Sequence, residues 1–266
     1  ERHSPGLRAL LEVSGVQPSS MSASDLGFRI GPRINAAGRL DSAMEVVELF
    51  LERDPDRARE RARHLDRLNV ERQGIQRRLV AQVLEKLPED PPSFVVAWGP
   101  EAEGWHRGVV GIVAARVRDG VHRPAAVVSV QGDQAVGSIR SVAAVHAVHA
   151  LDSVQDLLVR YGGHPVAAGF TVPTAKLPEL QDRLSAYVDS VAKSEAMVPS
   201  LEVDAACTLA ETNEQLASAL ERIGPFGKGN SDPLLVLDDV LPVRLRPMGK
   251  TGKHLRFSVG GLDVVW

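Results

Sequence analysis

A single cysteine, Cys207, stands among 266 residues. It excludes a disulfide framework and fits a reducing, cytoplasmic setting. No apolar stretch approaches the roughly 18 residues that a membrane-spanning helix needs, and no signal-peptide pattern opens the chain. An overall basic charge is missing too: the formal net charge is −3 and the sequence pI about 6.3. Any site for a polyanion must therefore be a local patch, with acidic residues placed elsewhere. There is no Walker loop, no Cys or Cys/His zinc pattern, no nucleophile elbow, and no dense Asp/His cluster able to hold two hard metal ions. A phosphodiester-cutting enzyme ordinarily needs such a cluster to activate water. The chain starts without Met and stops at Trp266 inside a strand pattern; both features read as a piece of a longer polypeptide.

What the chain does contain is three glycine-rich runs. The first is Gly31-Pro32-Arg33-Ile34-Asn35-Ala36-Ala37-Gly38-Arg39-Leu40-Asp41. About a hundred residues later come Gly137-Ser138-Ile139-Arg140-Ser141 and Tyr161-Gly162-Gly163-His164. Read as turns, they let the backbone approach a ligand closely and deliver Arg33, Asn35, Arg39, Ser138, Arg140 and His164, all hydrogen-bond donors. Such a set grips a phosphodiester, whose charged oxygens accept bidentate guanidinium forks.

The organisation between these runs is mixed α/β, with length for about two domains. A short helix is expected around residues 5–15, with Gly15 as its C-terminal stop. The Gly-Pro-Arg run reads as a turn, after which Asp41 or Ser42 caps a helix over 43–52. Asp54-Pro55 opens a long helix, with no further proline before Pro88. Unbroken, it would run on the order of 50 Å. Its apolar stripe of Ala58, Ala62, Leu65, Leu68, Ile75, Leu79 and Val83 is narrow, and the rest is densely charged. That pattern suits a rod joining two lobes. Its arginines are nearly balanced by acids, which fits i,i+4 pairing; only a clustering of those arginines in space would make it a DNA track. Residues 93–195 alternate strand and helix: strands at 94–98, 125–130, 135–141 and 167–172, helices at 108–117 and 176–196. Beyond Leu201 a strand at 201–209 and a helix at 211–223 lead into short strands at 234–240, 243–247, 254–259 and 262–266, as in a small barrel or sandwich.

Each candidate residue admits two readings. Arg33, Asn35 and Arg39 form either a phosphate clamp beside a helix N-terminus or a solvated turn with an Asx bond. Period two puts Ser138 and Arg140 on one strand face, where they would hold one phosphate or simply lie at an exposed strand end. His164, beside Gly162 and Gly163, either donates to a phosphate oxygen or acts as general acid, or else bonds a carbonyl structurally. His106 lines the same cleft or merely follows Trp105 into the core. Phe226 and Lys228, on a glycine-rich loop, have the makeup of single-strand binding, an aromatic for stacking plus a cation. Arg246, Lys250 and Arg256 would add a basic patch on the following strands, or an ordinary solvated face.

In combination these runs resemble the RecJ family of single-strand DNA exonucleases, within the DHH phosphoesterase superfamily. Residues 26–40 resemble the end of the family's catalytic domain, and Leu68-Asn69-Val70-Glu71-Arg72-Gln73 its connecting helix. Residues 104–114 with Gly162-Gly163-His164 resemble its DHH-associated domain, and Ile223-Gly224-Pro225-Phe226-Gly227-Lys228-Gly229-Asn230 the start of its OB-fold. The resemblance implies an α/β fold with four parts: residues 1–41 closing a DHH catalytic domain, 42–88 connecting helices, 89–197 a DHH-associated domain, and 198–266 an incomplete OB-fold barrel. It implies 5′-to-3′ hydrolysis of single-stranded DNA in repair and recombination, with Mn2+ or Mg2+ held by residues upstream of this chain. Arg33, Asn35 and Arg39 would lie beside the metal cleft, Ser138 and Arg140 on a phosphate at the DNA 5′ end, and His164 at the scissile region as the catalytic residue. Partners would include single-stranded DNA, a single-strand-binding protein and a helicase, for a monomer in the cytoplasm with no membrane contact. Two alternatives stay open: a small-nucleotide phosphodiesterase of the same superfamily, and a non-catalytic single-strand-binding scaffold.

Overall fold

The structure is a computed structural model that describes residues 4–192, 197–227, 229–249, 252 and 254–266. Two compact units divide at Pro199/Ser200.

The first unit opens with α1 (Pro5–Val13), capped by the Ser4 hydroxyl, and a short α2 (Ala23–Asp25) closed by a Ser22/Asp25 capping box. A π-helical turn, Leu26–Ile30, runs directly into α3 (Gly31–Leu40). The expected Gly-Pro-Arg turn is therefore a helix. Proline has no N–H to give, and the wide i→i+5 turn just before it, closed by Gly31 N–H on the Leu26 carbonyl, gives its ring room. Ala36 and Ala37 are fully buried on the inner face. Then come α4 (Met44–Leu51), with the Ser42 hydroxyl accepting from Met44 N–H, and the long α5 (Pro55–Lys86), whose first amides bond the Asp54 carboxylate.

Helix α5 spans 32 residues, about 50 Å, and serves two cores. Ala58, Ala62, Leu65 and Leu68 pack with Leu10, Leu11, Ile30, Ala36, Ala37 and Leu49. Leu79 and Val83 pack with residues of the α/β half, including Val95, Val109, Val113 and Val127. Each buried branched side chain contributes roughly 1.5–3 kcal/mol, so both cores hold the rod. Between them lies a polar stretch of α5.

The α/β half is a five-stranded sheet in the order β1-β2-β3-β5-β4. Its strands are β1 (Val95–Pro100), β2 (Ala125–Gln131), β3 (Gln134–Arg140), β4 (Arg160–His164) and β5 (Ala167–Pro173); only β1–β2 is parallel. Helix α6 (Val110–Val121) covers one face of β2 and β3. Helices α7 (Ala147–Asp152) and α8 (Leu177–Val191) cover the other, over Ile139, Phe170 and Val172. Three expectations change here. The run Tyr161–His164 is an edge strand and not a turn, because it completes an antiparallel ladder with β5. Helix α7 has no counterpart among the expected elements; it is only six residues long. Helix α8 stops at Val191, where its apolar stripe ends, and residues 193–196 of the expected helix lie outside the described ones.

The second unit holds β6 (Ala205–Ala206), α9 (Glu214–Arg222), β7 (Leu235–Val236), β8 (Val243–Met248), β9 (His254–Val259) and β10 (Leu262–Val265). Strands β8, β9 and β10 form an antiparallel sheet, and β6 pairs with β7 in parallel. The expected strands at 201–209 and 234–240 shrink to two residues each. Helix α9 starts late because the Asn213 carboxamide caps it, accepting from the amides of Gln215 and Leu216. Among the described residues the strands form two separate sheets and no closed barrel. No described helix is long and apolar enough to cross a membrane.

Candidate nucleic-acid interface

Where the two cores of the first unit part, a cavity of about 420 Å3 opens at the junction of α3, α5 and α6. Pro32, Asn35 and Arg39 line it from α3, Arg72, Gln73, Gln76 and Arg77 from α5, and Ile112 and Arg116 from α6. The helical period explains the set: Asn35/Arg39, Arg72/Gln76, Gln73/Arg77 and Ile112/Arg116 are each i,i+4 pairs on one face. Four arginines line the cavity and no carboxylate does. Among the described residues none of the four has a carboxylate partner. Arg72 reaches the side-chain oxygens of Asn69 and Gln76 at 2.9 and 3.1 Å, while its buried Nε finds no partner. Burial, then the Arg39 charge, lowers the Arg72 guanidinium below its ordinary value. It stays protonated at neutral pH, so uncompensated positive charge is stored here.

Arg39 connects this cavity to the sheet. Its guanidinium donates to the Gly108 carbonyl at 3.1 Å. Its own carbonyl lies so close to Gly108 that a Cβ there would sit 2.0 Å from the oxygen. Gly108 is glycine because the end of α3 packs directly on its backbone. Three residues on, a Cβ on Gly111 would come within 3.1 Å of the Ser138 hydroxyl and 3.2 Å of Arg140. The first turn of α6 thus lies on the Ser138/Arg140 face of β3. Arg140 donates to the Ser138 hydroxyl at 2.9 Å and to the Ile139 carbonyl at 2.8 Å. Burial first, then the Arg39 and Arg118 charges, lower its guanidinium.

Strand register carries the site across the sheet. Arg140 opposes Ala167 on β5, which opposes His164 on β4; Ser138 opposes Gly169, which opposes Gly162. Directly paired residues share a face, so Ser138, Arg140 and His164 look the same way. His164 stands two strands, about 10 Å, from Arg140. Helix α6 covers β2 and β3 but leaves Gly162, His164 and Gly169 exposed. The turn after His164 is pinned on both sides, with the Pro165 carbonyl accepting from Ala147 N–H at 2.7 Å and the Val166 carbonyl from Ser141 N–H at 2.9 Å. Gly163 is required by its φ of 155° and by Ala167, whose oxygen would lie 2.4 Å from an added Cβ.

Several expected site residues lie elsewhere. Arg33 does not line the arginine cavity. On a helix it points about 200° away from Asn35, where it holds Asp66 at 2.8 Å and the carbonyls of Arg29 and Val13. A turn would have let Arg33 and Arg39 face one ligand, whereas a helix separates them. His106 spends its Nδ1 accepting from Gly108 N–H at 3.1 Å, and its carbonyl accepts from Val109 and Val110. It shapes the turn before α6 and does not line the arginine cavity. Sequence reasoning missed Arg72, Gln73, Gln76, Arg77 and Arg116 as cavity residues; their i,i+4 spacing on α5 and α6 was the available signal.

In the second unit Arg246 and Arg256 are register partners on β8 and β9. With Arg244, Phe257, Ser258 and Asp263 they line a cavity of about 330 Å3. Arg256 is paired with Asp263 at 2.6 Å, and Arg256 is the first cause holding the Asp263 carboxyl below its usual value. Phe226 is half-buried in the loop after α9, where Asn230 bonds the Ile223 and Pro225 carbonyls. It does not line that cavity. Lys228 and Lys250 lie outside the described residues.

A metal ion does not fit these residues. Among the described residues no group of three or more His, Cys, Asp or Glu could hold one, and the clustered arginines would repel a cation.

Residues 91–190 match the DHHA1 domain model and residues 203–266 the RecJ OB domain model. Similar proteins carry both halves. Single-stranded-DNA-specific exonuclease RecJ of Bacillus subtilis is 30% identical over 96% of this chain, and that of Thermus thermophilus 36% identical over 98%. The chain is thus similar to RecJ along nearly its whole length and carries a DHHA1 domain and a RecJ OB domain. It spans only 32% and 37% of those two RecJ proteins. Two crystal structures of RecJ from Thermus thermophilus align over 98% of the chain, and the chain over 40% and 38% of theirs. The one in complex with Mg2+ gives a TM-score of 0.83 at 34% identity, and the one with Mn2+ 0.85 at 35%. The RecJ fold thus extends through the long helix, the five-stranded sheet and the OB domain.

Proposed function

We propose that this chain is the substrate-binding part of a single-strand-specific DNA exonuclease, gripping the strand while metal-binding residues outside it supply the hydrolytic centre. One observation carries the reading: an acid-free cavity of four arginines runs through Arg39 to Ser138 and Arg140. A phosphodiester strand is the ligand such stored charge calls for. Asn35, Arg39, Arg72, Arg77 and Arg116 hold internal phosphates. Ser138 and Arg140 hold the 5′-terminal phosphate, so nucleotides leave in the 5′-to-3′ direction. His164, on the same face, reaches the scissile region as general acid, with Gly162 and Gly163 letting the backbone approach. The relatives crystallised with Mg2+ and Mn2+ point to those ions for the hydrolytic centre.

Residues 1–41 close the catalytic domain, 42–88 connect, 89–197 form the DHH-associated domain and 198–266 the OB-fold. In the last, Phe226, Arg246 and Arg256 hold single-stranded DNA. An OB domain favours a polymeric substrate over a small nucleotide. The protein works in repair and recombination as a cytoplasmic monomer, beside a single-strand-binding protein and a helicase.

The test is the affinity of fluorescein-labelled oligonucleotides with a 5′-phosphate or a 5′-hydroxyl. Wild-type protein should prefer the phosphate by roughly tenfold, the worth of one charge-assisted bond. Arg140→Ala should abolish that preference. An unchanged preference in the variant would refute the assignment.

A further inference from the structure

The register that joins Arg140 to His164 continues beyond the Ser138 row. Arg160, first residue of β4, opposes Thr171, which opposes Val136 on β3. It therefore lies on the face of Ser138, Arg140 and His164. Its Nε donates to the Thr171 hydroxyl at 3.2 Å, which fixes the guanidinium plane and leaves both terminal nitrogens without a hydrogen-bond partner among the described residues. No described carboxylate pairs with it, and the side chain is exposed.

Between Arg160 and the Arg140 row lie Gly162 and Gly169, opposite each other. Neither is required by packing. A Cβ on Gly162 would meet nothing within 4 Å, and one on Gly169 only the Gly137 carbonyl at 3.8 Å. Both keep φ outside the range that excludes side chains. The backbone there is bare although nothing in the fold demands it. Two rows and two strands separate Arg160 from Arg140, about 17 Å between Cα positions, beyond the span of one phosphate.

We propose that Arg160 is a further positioning residue for the nucleic acid: it grips an internucleotide phosphate distinct from the one at Arg140, and the strand crosses the bare Gly162/Gly169 backbone between them. The inference rests on the single-strand-binding reading above.

The experiment compares wild type, Arg160→Ala, Arg160→Lys and Gly169→Val by fluorescence anisotropy. The probes are a 5′-phosphorylated 12-nucleotide strand and a 5′-phosphorylated dinucleotide. Arg160→Ala should weaken the 12-mer about 5- to 10-fold and lower the magnitude of its salt slope by about 0.7, leaving the dinucleotide and the 5′-phosphate preference unchanged. Arg160→Lys should restore the slope. Gly169→Val, whose Cβ would meet only the Gly137 carbonyl at 3.8 Å, should keep its melting temperature and lose 12-mer affinity. If Arg160→Ala binds the 12-mer like wild type while Arg140→Ala does not, this inference fails and the site reading stands. If neither variant changes binding, both fall.

Discussion

Raising salt is the perturbation that interrogates the stored charge most directly. In the cavity and on the adjoining face of β3, five arginines meet the proposed strand without a carboxylate partner among the described residues: Arg39, Arg72, Arg77, Arg116 and Arg140. Each phosphate neutralised on a single strand contributes about −0.7 to the slope of log K against log salt, so five give about −3.5. A rise from about 50 to 200 mM salt should then weaken binding on the order of a hundredfold. Arg116→Ala isolates one of the five. The side chain is exposed and makes no hydrogen bond or ion pair among the described residues, so its loss leaves the fold intact and should cut the slope by about 0.7. Arg63→Ala is the control: it removes the same charge from an exposed position on α5 that does not line the cavity. Anisotropy titrations at four salt concentrations measure all three proteins. A flat wild-type slope removes DNA as the ligand. Equal slope changes in both variants would mean that binding follows net charge and not this cavity.

Arg33→Ala should behave oppositely to the cavity variants. It breaks the bond to Asp66 and two bonds to carbonyls, costing roughly 1–3 kcal/mol of stability, and should leave oligonucleotide affinity within twofold; thermal melting and anisotropy read both. Gly108→Ala should lower stability and affinity together, by roughly 1–3 kcal/mol of overpacking, because the methyl would meet the Arg39 carbonyl at 2.0 Å. Gly27→Ala, where a methyl meets nothing within 4 Å, should change neither, and an effect there equal to that of Gly108→Ala would refute the close-packing argument.

The sequence revealed the long helix because its signals are local: Asp54 as cap, Pro55 in the first turn, and an unbroken stripe. The Ser138/Arg140 pair was legible for the same reason, since alternation along a strand needs no partner to be read. The Gly31–Leu40 helix was not. A Gly-Pro pair reads as a break, and the π-turn that absorbs it is a hydrogen-bond register that composition does not encode. That single misreading put Arg33 on one ligand with Asn35 and Arg39, from which the helix separates it. Strand β4 was hidden likewise, because two adjacent glycines weaken any strand propensity and only the ladder to β5 holds them extended. In the second unit the two-residue strands give too little alternation to place their ends.

The position of the site follows from the stripe on α5. A helix that packed one core throughout would repeat its apolar residues every turn. Here the buried aliphatic positions stop at Leu68 and resume at Leu79, and the residues between them include Asn69, Arg72, Gln73, Gln76 and Arg77. Two cores held by one helix must separate somewhere, and polar side chains can occupy only the stretch that neither core buries. The gap is about 16 Å long at 1.5 Å per residue, and α3 and α6 approach it from its two ends, one from each core. Asn35 and Arg39 on the one, and Arg116 on the other, complete the cavity. The charge of the rod is thus not uniform decoration. At the gap Arg72 and Arg77 gather with Arg39 and Arg116 around a cavity that no carboxylate lines, whereas Arg59 and Arg61 are met by acids, Arg61 by Glu45 and Glu48. An amphipathic helix whose stripe is interrupted once, with unpaired cations at the interruption, marks a cleft for an anion before any coordinate is known.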